Sequence, residues 1–284
     1  MENKDLKKLQ EYLLDILKDF VKICDKYNLT YYLAYGTVIG AIRHKGFIPW
    51  DDDVDVCMPI PDYLKFIEIA PKELDEKYFL QTIETDKYYN QLWAKIRLNN
   101  TCMVETSNIN SKAHQGIFID VFPLIPYPND TKLAIKQDKR HQFVKIYLEK
   151  DMGKDWKKKY YGKKGYILST LIKPLPKKMA KKLALKQLRK MFSFFGEYDN
   201  YLTFGPAHYF PREAFNTIKV QEFAGEMFNI PGNYDIYLKK IYGNYMELPP
   251  IEDRKGHSPS FLSFDKNYEE IKKELDKWKL KKHS

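Results

Sequence analysis

Four aspartates fall within five positions, Asp51, Asp52, Asp53 and Asp55, inside a stretch that is otherwise apolar: Phe47 and Trp50 precede them, and Val54, Val56 and Met58 alternate with the polar positions that follow. Carboxylates this close raise one another's pKa and destabilise the fold unless a cation or basic groups compensate them. The alternation across Asp53 to Met58 predicts a strand that places Asp53 and Asp55 on one face. Hard divalent cations prefer oxygen ligands, bind through one or two carboxylates and leave positions for substrate phosphates, so Mg²⁺ or Mn²⁺ on Asp53 and Asp55, with Asp51 and Asp52 in support, is the expected compensation. The other reading is a solvated acidic turn. The aromatic residues before the acids and the apolar alternation after them favour a half-buried strand.

The segment before the acids predicts a strand over Tyr31 to Tyr35, a tight turn at Gly36 and Thr37 where backbone can approach a ligand, and a short helix over Val38 to His44. Downstream, strands are expected at Tyr78 to Ile83 and at Trp93 to Leu98. Lys95 and Arg97 lie two apart on the latter and so share a face, which reads either as an ordinary solvent-facing side or as a phosphate clamp. Gly116 to Phe122 predicts a further strand whose one charged side chain is Asp120, and a lone acid in an apolar run is costly unless paired or bound to metal. Pro123, Pro126 and Pro128 are expected to end the sheet.

Gly36-Thr37, the run Arg43 to Trp50 and Asp51 to Asp55 resemble the signature of the LicD family of phosphotransferases, itself similar to the nucleotidyltransferase superfamily of polymerase-beta-like folds. Gly116 to Pro123 resembles that family's third acidic strand. Tyr242 to Met246, with Pro249-Pro250, Arg254 and His257, resembles its C-terminal part. The resemblance implies that Asp120 lies beside Asp53 and Asp55 and completes a three-carboxylate site, as a metal ligand or as acceptor of a proton. It also implies the substrates: a CDP-alcohol donor, most simply CDP-choline, and a glycan acceptor such as lipopolysaccharide, teichoic acid or capsular polysaccharide, or a lipid-linked precursor. Gly36, Thr37, Arg43, Lys95, Arg97 and His257 are the expected contacts to substrate. For His257, taken alone, a structural or exposed role is the simpler reading unless it faces the acids.

The rest of the chain sets limits. Its 284 residues suffice for a sizeable core. Leu6, Leu9, Leu13, Leu17, Phe20, Cys24 and Tyr27 recur at helical spacing and predict an amphipathic helix stopped at Asn28. Three cysteines without close pairing suggest neither a disulfide framework nor zinc. The N-terminus does not read as a signal peptide and no run approaches a membrane span, so a cytoplasmic protein is expected, with peripheral membrane contact left open. From Lys150 to Lys190 there are about 15 Lys and Arg against Asp151 and Asp155, a local charge near +13 against +10 for the whole chain. Basicity therefore belongs to one region, and no nucleic-acid partner is expected. That region, with leucine at helical spacing, reads either as a solvated lysine face or as a surface for anionic membrane. Further on, the sequence predicts a hairpin around Ala224-Gly225, a helix over Tyr234 to Tyr242 and a charged helix over Glu269 to Lys282.

The expected architecture is α+β in a single unit over 1–284: a nucleotidyltransferase-like mixed sheet with packed helices over about 28–125, a basic helical segment over about 131–200, and a C-terminal part from about 201. The expected activity is metal-dependent transfer of a phosphorylated alcohol to a sugar hydroxyl. Two alternatives stand beside it: a nucleotidyltransferase that builds a nucleotide-activated small molecule from an NTP, and a non-catalytic glycan- or membrane-associated scaffold.

Overall fold

The computed structural model describes residues 3–105, 108–109, 111–148, 167, 170, 176–204 and 209–273, and it is a mixed α/β structure. Its residues group into two compact units, the first formed by Met1–Tyr89, Trp93–Pro123 and Glu213–Ser284, the second by Asn90–Leu92 and Leu124–Arg212.

In the first unit, helix α1 (Asn3–Tyr27) buries Leu9, Leu13, Leu17, Phe20 and Cys24, the stripe its spacing predicts. Asn28, at φ 50°, ends it in the left-handed conformation that asparagine tolerates better than most residues. Phe20 is wedged edge-on against Phe66 of α3 (Ile60–Glu73), ring centroids 5.1 Å apart. The sheet follows the order β1 (Tyr32–Leu33), β2 (Asp55–Pro59), β6 (Phe118–Tyr127), β4 (Ala94–Leu98), β3 (Tyr78–Gln81). The β4/β6 ladder is antiparallel and sets Lys95 directly opposite Asp120. Two antiparallel pairs complete this unit: β9 (Ile218–Phe223) with β10 (Glu226–Pro231), turning through Ala224 and Gly225, both at positive φ, and β5 (Cys102–Val104) with β11 (Phe261–Ser263). Helix α6 spans Tyr234–Tyr242, as its periodicity predicts.

Three local expectations are corrected. The first strand is only Tyr32–Leu33, because Tyr35 turns to φ 48° and begins helix α2 (Tyr35–Ile39), so Gly36 and Thr37 sit in a helical first turn rather than a free loop. The helix continues as a π-helical turn, Gly40–His44, closed by Gly46 N–H on the Gly40 carbonyl. Strand β2 starts at Asp55, leaving Asp53 just ahead of it. And β6 runs through Pro123 and Pro126 to Tyr127: up to Val121 it pairs with β4, from Ile125 with β7 (Asn200–Leu202), so Pro123 falls between two ladders, where its missing donor costs least.

The second unit holds the β6 end, β7 and β8 (Tyr209–Pro211), with helices α4 (Thr131–Leu148) and α5 (Lys177–Phe192) packed on one another. Most of the basic stretch between the helices, including Leu168, Leu171, Ile172 and Pro174, lies outside the described residues, as does the predicted final helix beyond 273, with Leu275 and Trp278. All three cysteines are free and buried. Among the described residues no helix is long and apolar enough to cross a membrane.

Candidate active site

The acids are gathered by the backbone around β2. The Asp55 N–H donates to Thr37 Oγ1 at 3.0 Å and its carbonyl accepts the Ala34 N–H at 2.8 Å, which fixes the start of the strand against the start of α2. Thr37 therefore acts through its hydroxyl on the Asp55 backbone, while its own N–H goes to the Ala34 carbonyl. Gly36 makes room for the Asp51 carboxylate: a Cβ there would lie 3.0 Å from Asp51 Oδ2. Alongside, the Asp120 N–H donates to the Val54 carbonyl at 2.9 Å, which sets Asp120 one strand over from the acids, as the resemblance implies.

Asp52 points the other way. Its side chain is fully buried and accepts the His257 N–H on Oδ1 and the Ser258 N–H on Oδ2, each at 2.8 Å. Gly256 permits this contact, since a Cβ there would stand 2.5 Å from Asp52 Oδ1. Burial alone would raise the Asp52 pKa; the His257 side chain and the two N–H donors outweigh it and hold the group below the usual carboxylate range. The same arrangement brings His257 to the acids, with Nδ1 3.4 Å from Asp52 Oδ1 and 3.3 Å from Asp53 Oδ2. Its hydrogen bond to Asp52, reinforced by the charges of Asp53 and Asp51, pushes its pKa up to about 9, so it carries a proton at neutral pH.

The other three acids are under-compensated. Burial, then the Asp53 charge, holds Asp51 well above the ordinary range. Burial also raises Asp53, opposed by His257 and assisted by Asp120. Asp55 is pushed well up by burial and by Asp53, Asp120 and Asp51, with Lys95 in opposition. Tyr242, at the end of α6, lies in the same field: burial and then Asp55, Asp51 and Asp53 raise its phenol.

Lys95 and Arg97 do not face solvent; they are 4% and 3% exposed, which removes the ordinary-surface reading. Lys95 Nζ is 2.7 Å from Asp120 Oδ1 and 3.5 Å above the Phe118 ring. The same Asp120 oxygen accepts the Trp93 indole N–H at 2.6 Å. Arg97 is held by the Gln81 side-chain oxygen and the Gly116 carbonyl, its plane over Phe118. Arg43 is likewise engaged, donating to the carbonyls of Tyr245 (2.7 Å) and Glu247 (3.1 Å) and to His44 Nε2. It fastens the 245–247 loop beside α2.

Among the described residues no three His, Cys, Asp or Glu side chains close on one point as a complete metal shell. Mg²⁺ needs no such cage, since it takes one or two carboxylates and fills its remaining positions with water and phosphate oxygens. Asp53 and Asp55, both raised by burial and neighbouring carboxylates in spite of His257 and Lys95, have the chemistry of that donor set.

Trp93, Gly256 and Ser258 carry no signal in the linear pattern; Trp93 reads only as the start of a strand. In the linear pattern Tyr242 reads only as the end of a helix, and the resemblance alone ties it to the site.

Residues 28–153 match the family described as LicD/FKTN/FKRP, nucleotidyltransferase domain. The lipopolysaccharide cholinephosphotransferase LicD of Haemophilus influenzae is 34% identical over 261 residues, covering 90% of this chain and 97% of that protein. The chain belongs to the LicD family. An uncharacterised protein of Rickettsia typhi is 38% identical over 60 residues, 21% of this chain and 19% of its own length, and one of Rickettsia prowazekii is 33% identical over 78 residues, 28% of each.

Proposed function

We propose that this protein transfers phosphocholine from CDP-choline to a sugar hydroxyl of lipopolysaccharide or a related cell-surface glycan, in the cytoplasm, on a nucleotidyltransferase-like fold that uses Mg²⁺ or Mn²⁺. The observation that carries the reading is the gathering of Asp51, Asp53 and Asp55, with Asp120 one strand over, in a chain similar over 90% of its length to a cholinephosphotransferase. In the reaction, the acceptor oxygen attacks the phosphorus that bears choline. The bond from that phosphorus to the bridging oxygen breaks, CMP leaves with the electron pair, and the acceptor's proton passes to a carboxylate.

Asp53 and Asp55 would hold the metal, which supplies positive charge to the donor diphosphate. Asp120 is the group for the acceptor's proton: Lys95 and Trp93 both hold it through Oδ1, which fixes its orientation. His257, protonated at neutral pH, offers a charged donor to a phosphate oxygen beside Asp53. Lys95 contributes a buried positive charge to the same region and favours the ionised form of Asp55.

Purified protein given CDP-choline, Mg²⁺ and lipopolysaccharide lacking choline should release CMP in step with choline incorporation, and a chelator should stop it. Asp53→Asn and Asp55→Asn should each lower turnover on the order of 10²–10³-fold, the scale seen when one preorganised electrostatic group is removed. In metal-free protein the same changes should raise the melting temperature, because each removes a charge that burial disfavours, and Mg²⁺ should stabilise the native protein more than either variant. Pyrophosphate release from CTP, without CMP from CDP-choline, would instead establish the nucleotidyltransferase alternative.

A further inference from the structure

The second unit carries a feature that the transfer reaction does not use. Helix α5 buries Ala184, Leu188 and Met191, a stripe at helical spacing, against the body of its unit. Its opposite side shows Lys182, Lys186, Arg189 and Lys190 to solvent, and no acid occurs anywhere in its sixteen residues. Helix α4 brings Lys136, Lys139 and Arg140 to the same place. Together with Lys190, Gln187 and Phe143 they line a cavity of about 340 Å³ between the two helices. Among the described residues, none of Lys136, Lys139, Arg140 and Lys190 forms an ion pair. The one acid on α4, Asp138, is turned to the hydroxyls of Tyr127 and Tyr209. Four cations that converge without a counter-charge repel one another, and an anion placed among them relieves that repulsion.

The same two helices and the residues just beyond α5 also carry exposed apolar side chains. Phe195, just beyond α5, is 86% exposed, and Met179 on α5 and Leu133 and Ile135 on α4 are also open to solvent. On α5, Met179, Leu183 and Leu185 share a groove of about 840 Å³ with Lys182, Lys186 and Arg189. Binding to phosphate alone, or to a nucleic-acid backbone, would use the cations and leave this apolar surface in water. A bilayer interface with anionic headgroups uses both: phosphates meet the cations while the aromatic and aliphatic side chains enter the headgroup layer.

We propose that the α4/α5 face of the second unit docks on an anionic phospholipid surface, with Lys136, Lys139, Arg140 and Lys190 holding headgroup phosphates and Phe195 seated in the interface. This proposal stands on the cations and the exposed apolar side chains of this face and does not depend on which group the enzyme transfers.

The test is co-sedimentation of the full chain with vesicles of phosphatidylcholine alone and of phosphatidylcholine mixed in equal parts with phosphatidylglycerol. The native protein should bind the mixed vesicles and not the neutral ones, and added salt should release it. A variant with Lys136→Gln, Lys139→Gln, Arg140→Gln and Lys190→Gln should bind about tenfold more weakly or worse, the loss growing with the number of these charges that face the surface. Phe195→Ser should weaken binding while leaving its salt dependence intact. A companion variant with Lys136→Arg, Lys139→Arg and Lys190→Arg keeps the charge and should bind like the native protein, which separates loss of charge from loss of fold. Turnover with a small soluble acceptor should be unchanged in all of these. Equal binding to neutral vesicles, a glutamine variant that sediments like the native protein, or an arginine variant that fails to bind would overturn the proposal, as would tighter binding to duplex nucleic acid than to the mixed vesicles.

Discussion

Asp120 shows how one residue's role depends on what lies opposite it. In the linear chain it is a lone acid in an apolar strand; in the fold it faces Lys95 across a ladder and receives the Trp93 indole on the same oxygen. Lys95→Met should therefore destabilise the protein by about 3–5 kcal/mol, because it strands a buried carboxylate. Combining it with Asp120→Asn should recover much of that loss, as a double-mutant cycle in denaturant would show. His114 offers a second test. Burial and then Arg97 lower its pKa to about 4, its Nδ1 accepts the Gly116 N–H, and it stacks on Phe79. A histidine held neutral in the fold contributes stability that is present above the unfolded value of about 6.5. As pH falls from about 6.5 towards 4 the unfolded chain takes up a proton that the folded chain refuses, so this contribution is lost over that window and is constant below it. Melting temperatures of native protein and His114→Gln, measured across the window, should converge by the equivalent of about 1–3 kcal/mol. The acids and Lys95 were legible as chemistry because charge in an apolar setting is conspicuous, whereas His257 in its polar loop was a candidate only through the resemblance. The partners of the acids were not legible, since Gly256 and Ser258 meet Asp52 across some 200 positions and no periodicity encodes such a contact.

Elements with a strong repeat were the most legible: α1, α6 and the hairpin through Ala224 and Gly225 fall where periodicity and turn chemistry put them. Strands of two or three residues, such as β1, β5 and β11, are too short to display an alternation. The continuation of β6 through two prolines was hidden for another reason: a proline stops a strand only where a ladder needs its donor, and partner exchange is a property of the sheet. The π-helical turn was equally unreadable, yet it gives a sharp prediction. A Cβ on Gly40 would stand 2.5 Å from the Gly46 carbonyl oxygen, which is backbone and cannot swing aside. Gly40→Ala should cost about 1–3 kcal/mol, as overpacking does. It should also reduce turnover, because the same turn carries Arg43 to the 245–247 loop. Ser in place of Met246, which is exposed on that loop, is the matched control and should do neither.

At the scale of the molecule, the sequence confines the excess positive charge to one region, and the described helix of that region, α5, falls in the second unit together with α4, β7 and β8. The acids instead belong to a unit built from three separate stretches of chain, and its last stretch carries the residues that fasten Asp52. Asp52→Ala should lower stability by about 2–4 kcal/mol, since two buried N–H groups lose a charged acceptor. It should also make the stretch around Arg254 to Ser260 open to limited proteolysis while the second unit stays protected. The same fastening bears on how the enzyme is made. A chain emerging from the ribosome has its aspartates in hand after some sixty residues, but the backbone that clamps one of them arrives only with His257 and Ser258. Until then the acids exist without their arrangement, so a nascent or prematurely terminated chain has no assembled acidic centre.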